Sequence, residues 1–333
     1  MPHSPLPALF GKLRLPVIAA PMFIVSGPEL VIAQCQAGVL GSFPALNARP
    51  ASQLDEWLYR IADARDAHDR RHPEAPSAPF AVNLIVHRTN GRLQEDLALC
   101  EKHKVPLVIT SLGAQPEVNA AVHGWGGLVL HDVIDNNFAR KAIDKGADGL
   151  IAVAAGAGGH AGVQSPFALM QEIRAWFAGP VALSGAIACG SSILAAQAMG
   201  ADFAYIGSAW IATEEANAVP AYKQAITASA AADIVYSNLF TGVHGNYLRP
   251  SIVAAGLDPD NLAQGDPSRM DFGSGGNTAA KAWKDIWGAG QGVGAIADIV
   301  PVATRVARLA AEYQQAKIAL AARTGMMIGP AGG

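Results

Sequence analysis

Residues 147–162 read ADGLIAVAAGAGGHAG: an apolar run without polar alternation that passes into a loop holding one histidine, His160, among four glycines. Strands that lack alternation are buried on both faces, as parallel strands covered by helices must be. The loop that follows has shed side chains around an imidazole, which lets backbone approach a flat partner without Cβ contact. Seven more runs of this kind occur: PVIAAP (16–21), GVLGSFPAL (38–46), PFAVNLIV (79–86), VPLVITSL (105–112), GGLVLHDV (126–133), PVALSGAI (180–187) and ADFAYIGSAW (201–210). Segments of helical length separate them, among them GPELVIAQCQAG (27–38), NNFARKAIDKG (136–146), SPFALMQEIRAWF (165–177) and GSSILAAQAMG (190–200). Eight β–α units in series predict a (β/α)8 TIM barrel, with an open doubly wound sheet as the alternative, and a barrel gathers its chemistry at the C-terminal ends of its strands.

The eighth run is not followed directly by a covering helix. Residues 213–297 intervene before DIVPVATRVARLAAEYQQAKIALAA (298–322) supplies a long amphipathic segment. The expected organisation is therefore a barrel over 1–212 and 298–323, a small, mostly helical inserted lid domain over 213–297, and a flexible tail over 324–333.

The 333 residues are 51% apolar and 15% charged, with a formal charge of −3. That balance fits a globular chain with a large core and gives no electrostatic reason to expect nucleic acid or an anionic membrane as partner. Apolar segments are short and interrupted, so no signal peptide or transmembrane helix is expected. Cys35, Cys100 and Cys189 lie far apart, which favours a reducing, cytoplasmic compartment. His68, His72, His87, His103 and His123 show no metal-ligand spacing, and no metal is expected.

At the strand ends, SGAIACG (184–190) and IGSAW (206–210) occupy the loops where barrels hold phosphate on glycine-exposed amides, which makes Ser184, Gly185, Gly207 and Ser208 candidates. The other reading of these glycines is tight barrel corners. His160 belongs to the same rim. An imidazole there is suited to take a proton near neutral pH, although a lone histidine also serves as a structural hydrogen bonder. Pro21 and Met22 end the first run, and Met22 offers a soft surface for an aromatic ring, or a plain core contact. Asn83 is a polar amide in an apolar strand and needs partners. Ser111 and His131 stand near the ends of the fourth and fifth runs, as candidates on the substrate side. Cys189 reads as helix packing, and the pairs Glu214/Glu215 and Asp63/Asp66 as solvated helix faces.

The set AAPM (19–22), VNLIVHR (82–88), AGGHAG (157–162), SGAIACG (184–190), MGADFAYIGSAW (199–210) and AGQGVG (289–294), in this order, resembles the nitronate monooxygenase family, also known as 2-nitropropane dioxygenases. The resemblance implies an FMN-binding barrel that oxidises alkyl nitronates with molecular oxygen; a monomer or homodimer is expected. It also implies roles: Ala20, Pro21 and Met22 beside the isoalloxazine, Asn83 bonded to the ring, Gly159 in the histidine loop, Gly185, Gly207 and Ser208 at the phosphate. His160 would be the substrate-side base, and Gln291 would approach the flavin from the insertion. Two positions depart from the pattern: many relatives carry Glu where Gly156 stands, and some carry a second histidine where Ser111 aligns. The rival readings are an NAD(P)H-dependent flavin reductase of quinones or enoyl thioesters, and a barrel that binds a phosphorylated ligand without turning it over.

Overall fold

A computed structural model describes residues 5–265 and 285–325. In chain order its first strands are β1 (Val17–Ala19), β2 (Gly41–Pro44), β3 (Phe80–Ile85), β4 (Leu107–Ser111), β5 (Leu128–Val133), β6 (Gly149–Val153), a two-residue β7 (Gly159–His160), β8 (Val181–Ser184) and β9 (Phe203–Ile206). All but β7 form one parallel sheet in the order β1-β9-β8-β6-β5-β4-β3-β2. Ile18 bridges Leu40 just ahead of β2, and Ala19 N donates to Leu40 O at 2.8 Å, so the sheet closes on itself. The predicted barrel is present, and an open sheet is excluded because the two outer strands meet.

Strand alternation then divides the side chains. Ile18, Ala81, Ile109, Leu130, Ile151, Ala182 and Phe203 meet inside the barrel, while Val82, Leu84, Val108, Val129, Ala152 and Leu183 face the helical layer. Phe10, from a 3-10 turn over Ala8–Lys12, packs on Phe203 with ring centroids 4.6 Å apart and plugs the N-terminal end. The N-terminal end of the barrel is thus filled with apolar side chains.

The helix Pro28–Ala37 starts with proline, which has no amide proton to satisfy, and ends at Gly38 with φ +91°. The closing helix, Val302–Thr324, packs on Pro28–Ala37 and on Gly190–Ala198. Glu215 accepts from Val302 N at 3.0 and 3.1 Å and so caps that helix, rather than standing on a solvated face. Of the expected tail, residues 326–333 lie outside the described residues.

After β9 the chain continues into the stretch 213–297. Its described part holds helices Pro220–Ala228 and Arg249–Ala254, a 3-10 turn over Gln291–Ala295, and a hairpin of β10 (Ile234–Ser237) and β11 (Gly245–Leu248). The hairpin departs from the mostly helical expectation, because four-residue strands show too little periodicity to separate from loop. Tyr222, Ile226, Leu248, Val293 and Ile296 share one core with Leu30, Ile193, Trp210 and Val306 of the barrel layer, so the insertion packs as a continuation of the barrel. Residues 266–284 of the insertion lie outside the described residues. Among the described residues no helix is long and apolar enough to cross a membrane.

Candidate active site

The glycines around His160 answer first to another loop. A Cβ built on Gly158 would lie 2.8 Å from Gly290 N, and one on Gly290 would lie 2.6 Å from Gly156 O. Gln291 N donates to Gly156 O at 2.9 Å, and Asn246 Nδ2 donates to Ala157 O at 2.6 Å. The two glycine-rich segments seen in the sequence are thus one backbone-to-backbone contact. Gly159, at φ +69°, continues into β7, which pairs with β11 through Asn246↔Gly159 and Gly245↔His160. The hairpin of the insertion therefore holds His160 over the barrel.

His160 Nε2 lies 2.9 Å from Thr241 Oγ1, which also lies 3.0 Å from Val243 O. A hydroxyl has one proton and a carbonyl can only accept. The arrangement that satisfies both contacts has Thr241 donating to Val243 and accepting from Nε2–H. The residue is half-buried, and the protein packed around the ring pushes its pKa down to about 4, so the imidazole is neutral at pH 7. Thr241 carried no signal in the sequence; its role depends on how the hairpin folds back.

Below the mouth runs a directional chain of hydrogen bonds. Asn83 Nδ2 donates to Ile109 O at 3.0 Å and to Ser111 Oγ at 2.8 Å, and Ser111 Oγ donates to Asp132 Oδ2 at 2.5 Å. The carbonyl of Ile109 identifies the Asn83 atom facing it as nitrogen. Asn83 Oδ1, on the other side of the amide, takes no donor from the described protein. Asp132 Oδ1 is sealed from solvent and has no partner among the described residues. Burial pushes its carboxyl up to about 6, partly offset by the bond from Ser111.

His131 is not part of this group. It follows Leu130, which faces inward, so it points to the helices, with Nδ1 2.6 Å from Thr110 Oγ1. Burial, with a smaller contribution from Lys145, lowers its pKa to about 4. The residue brought to the interior is its neighbour Asp132, beside Tyr205 of β9, whose phenol is held above its ordinary range by burial and by the Asp132 charge.

On the opposite side, Ala20, Met22 and Gly207 converge: a Cβ on Gly207 would lie 3.6 Å from Ala20 Cβ and 3.9 Å from Met22 Sδ. Pro21 stands between Ala20 and Met22, and Ser184 ends β8, half-buried. Gly185 has φ +137°, and a Cβ there would lie 2.8 Å from Ala155 O, so its own corner already demands glycine. Ser208 Oγ accepts from Gly290 N at 2.9 Å and ties the insertion to the end of β9. The amides of Gly207 and Ser208 donate to no protein acceptor among the described residues. Cys189 stands at the N-terminus of the helix Gly190–Ala198, with Sγ 3.2 Å from Ser191 Oγ, and Glu312 takes the Gly190 amide at 2.8 Å.

A closed eight-stranded barrel with its polar groups gathered at one mouth defines the class: a TIM-barrel enzyme. A family model described as nitronate monooxygenase matches residues 62–312. A nitronate monooxygenase of Paraburkholderia phytofirmans is 30% identical, with 90% of this chain and 92% of that protein aligned. Among solved structures, a nitroalkane oxidase of Streptomyces ansochromogenes superposes with a TM-score of 0.77 at 26% identity, covering 94% of this chain and 100% of that one. FabK of Thermotoga maritima, at 22% identity and a TM-score of 0.73, covers 95% and 97% and shares the fold. The chain belongs to the nitronate monooxygenase family, oxidoreductases that carry out flavin-dependent oxidation of nitronates.

Proposed function

We propose that this protein oxidises alkyl nitronates with molecular oxygen on an FMN held at the barrel mouth, and that His160 takes the acidic proton when the neutral nitroalkane is supplied. The observation that carries this reading is the imidazole itself. It is neutral, it hangs over the mouth on a strand of the insertion, and Thr241 fixes its tautomer.

The residues present fit a flat, phosphate-bearing group. The unclaimed amides of Gly207 and Ser208 suit a phosphate, and the absence of a side chain at Gly207 leaves room beside Ala20 and Met22. Asn83 Oδ1 offers an unclaimed acceptor at the edge of the ring. In this reading Ala20, Pro21, Met22, Asn83, Gly159 and Gln291 surround the ring, while Ser184, Gly185, Gly207 and Ser208 hold the phosphate. Bound there, the flavin supplies the electron-accepting ring and the chemistry with oxygen. The protein's part is to orient the nitronate, to shield the mouth with the insertion, and to move one proton. His160 takes it from the carbon beside the nitro group, while Thr241 keeps the ring in place.

The test is anaerobic mixing of the flavin-loaded protein with propyl nitronate and, separately, with NADH or NADPH, following the visible flavin band. Bleaching by nitronate alone is expected. Bleaching by the nicotinamide alone would move the assignment to a reductase of quinones or enoyl thioesters, and no bleaching by either, to a ligand-binding barrel.

A further inference from the structure

Asp132 is a carboxyl that the proposed chemistry does not use. It lies in the C-terminal half of β5 on the inward face, two residues past Leu130 of the barrel core. One oxygen receives the Ser111 hydroxyl, while the other, Oδ1, is sealed from water with no protein donor among the described residues. A buried carboxylate oxygen without a donor costs about 1–3 kcal/mol or more. A chain that keeps one beside the ligand mouth has either a ligand proton or the carboxyl's own proton there.

We propose that Asp132 is a ligand-facing residue of this site, whose Oδ1 accepts an N–H or O–H from the molecule bound in the mouth and holds a proton of its own when none is offered. The inference rests on the FMN reading above for the identity of that molecule. The flavin pyrimidine carries an imide N–H, which is the class of donor Oδ1 lacks.

The surroundings favour this use. On β4 the neighbour is Ser111, which donates to Oδ2, and behind it Asn83 of β3 donates to Ser111. On β6 the partner in register is Ile151, which is apolar. From β9 comes Tyr205, neutral at any physiological pH. His131 is adjacent in sequence but on the other face of β5. No Lys, Arg or His forms an ion pair with Asp132 among the described residues. With no cation to hold its charge, the carboxyl is poised to exchange a proton close to neutral pH, where its charge would be felt by a ring above it.

Asp132→Asn keeps the shape and removes the titration. FMN-loaded protein is taken from pH 4.5 to 8 while the visible spectrum and the released flavin are recorded. Wild type is expected to show a one-proton change in the bound flavin's absorption, at or below the pH of about 6 where the carboxyl titrates without a donor on Oδ1, and absent in Asp132→Asn. Ser111→Ala, which removes the donor that favours the charged form, is expected to move the change to higher pH. A bound flavin whose spectrum and retention do not change with pH, or a transition that persists unmoved in Asp132→Asn, overturns the role of Asp132. If that variant does not fold, a transition left in place by Ser111→Ala overturns it equally. Wild-type protein that takes up no FMN at any pH removes the reading under Proposed function, and this inference falls with it.

Discussion

Gln291 stands in the space that a side chain on Gly156 would need: a Cβ built on Gly156 lies 2.9 Å from Gln291 Oε1 and 3.4 Å from Gln291 Cβ. The missing side chain at Gly156 is thus matched by a glutamine that fills its place from another loop. Gly156 also has φ +83°, a conformation that side chains rarely adopt.

A glutamate at this position is expected to destabilise the fold. Gly156→Glu should lower unfolding stability in urea by on the order of 2 kcal/mol, from strain at positive φ and from overpacking. Gln291→Ala in the same chain should recover about 1 kcal/mol of that loss, because the two side chains compete for one space. Strict additivity in the double variant would show that strain alone sets the cost.

The two glycines proposed to hold the phosphate, Gly185 and Gly207, separate a structural demand from a ligand demand. Gly185→Ala should destabilise the protein with or without FMN, since its φ and the nearby Ala155 carbonyl leave no place for Cβ. Gly207, at φ −113°, meets only ordinary contacts, so Gly207→Ala should melt like wild type without flavin. Its affinity for FMN, measured by fluorescence titration, is expected to fall about tenfold or more if the methyl enters ligand space. Unchanged affinity would place the cofactor elsewhere.

For His160 the informative comparison is between two substrates. His160→Asn should retain yellow FMN and lose about 10² to 10⁴ of the rate on a neutral nitroalkane, with much less effect on preformed nitronate. Thr241→Val should fall between the two proteins, having kept the imidazole but lost its anchor. The wild-type rate on the neutral substrate should fall with acid only as pH approaches about 4, where His160 takes up a proton. Equal losses on both substrates in His160→Asn would remove the proton-abstraction role.

The acid limb of stability gives a test of His131 that does not involve the site. His131 and His160 are both pushed down to about 4 from 6.5, so the unfolded chain binds more protons than the folded one between those values. Their stabilisation is complete above pH 6.5 and is lost as pH falls toward 4. Asp132, raised to about 6 from 3.8, acts in the opposite sense: it costs stability above its folded value, and the cost fades as pH falls through that window. Two imidazoles outweigh one carboxyl, and wild type should lose stability from pH 7 to 5. The loss, measured by urea midpoints, should be smaller in His131→Asn, whose flavin content should match wild type because His131 faces the helices.

The fold was legible because parallel strands buried on both faces must be continuously apolar, and eight such runs leave few architectures open. The end of each run also marks the mouth, which is why spacing and resemblance point to Ala20, Met22, Asn83, Ser111, Gly207 and His160. Position along a strand does not say which face a residue takes. His131 and Asp132 are neighbours in sequence, and a single step of register sends the histidine to the helices and the carboxyl to the barrel interior.

Composition, strand periodicity and loop glycines are local properties, so the sequence by itself determined a barrel, its functional end and the loop that carries His160. Only the tertiary structure decided what those glycines touch, that a hairpin from residues 234–248 completes the sheet under His160, and that Thr241 sets its tautomer. Those contacts join segments some eighty to more than a hundred residues apart. They exist only once closure of the barrel has brought the insertion back over its mouth.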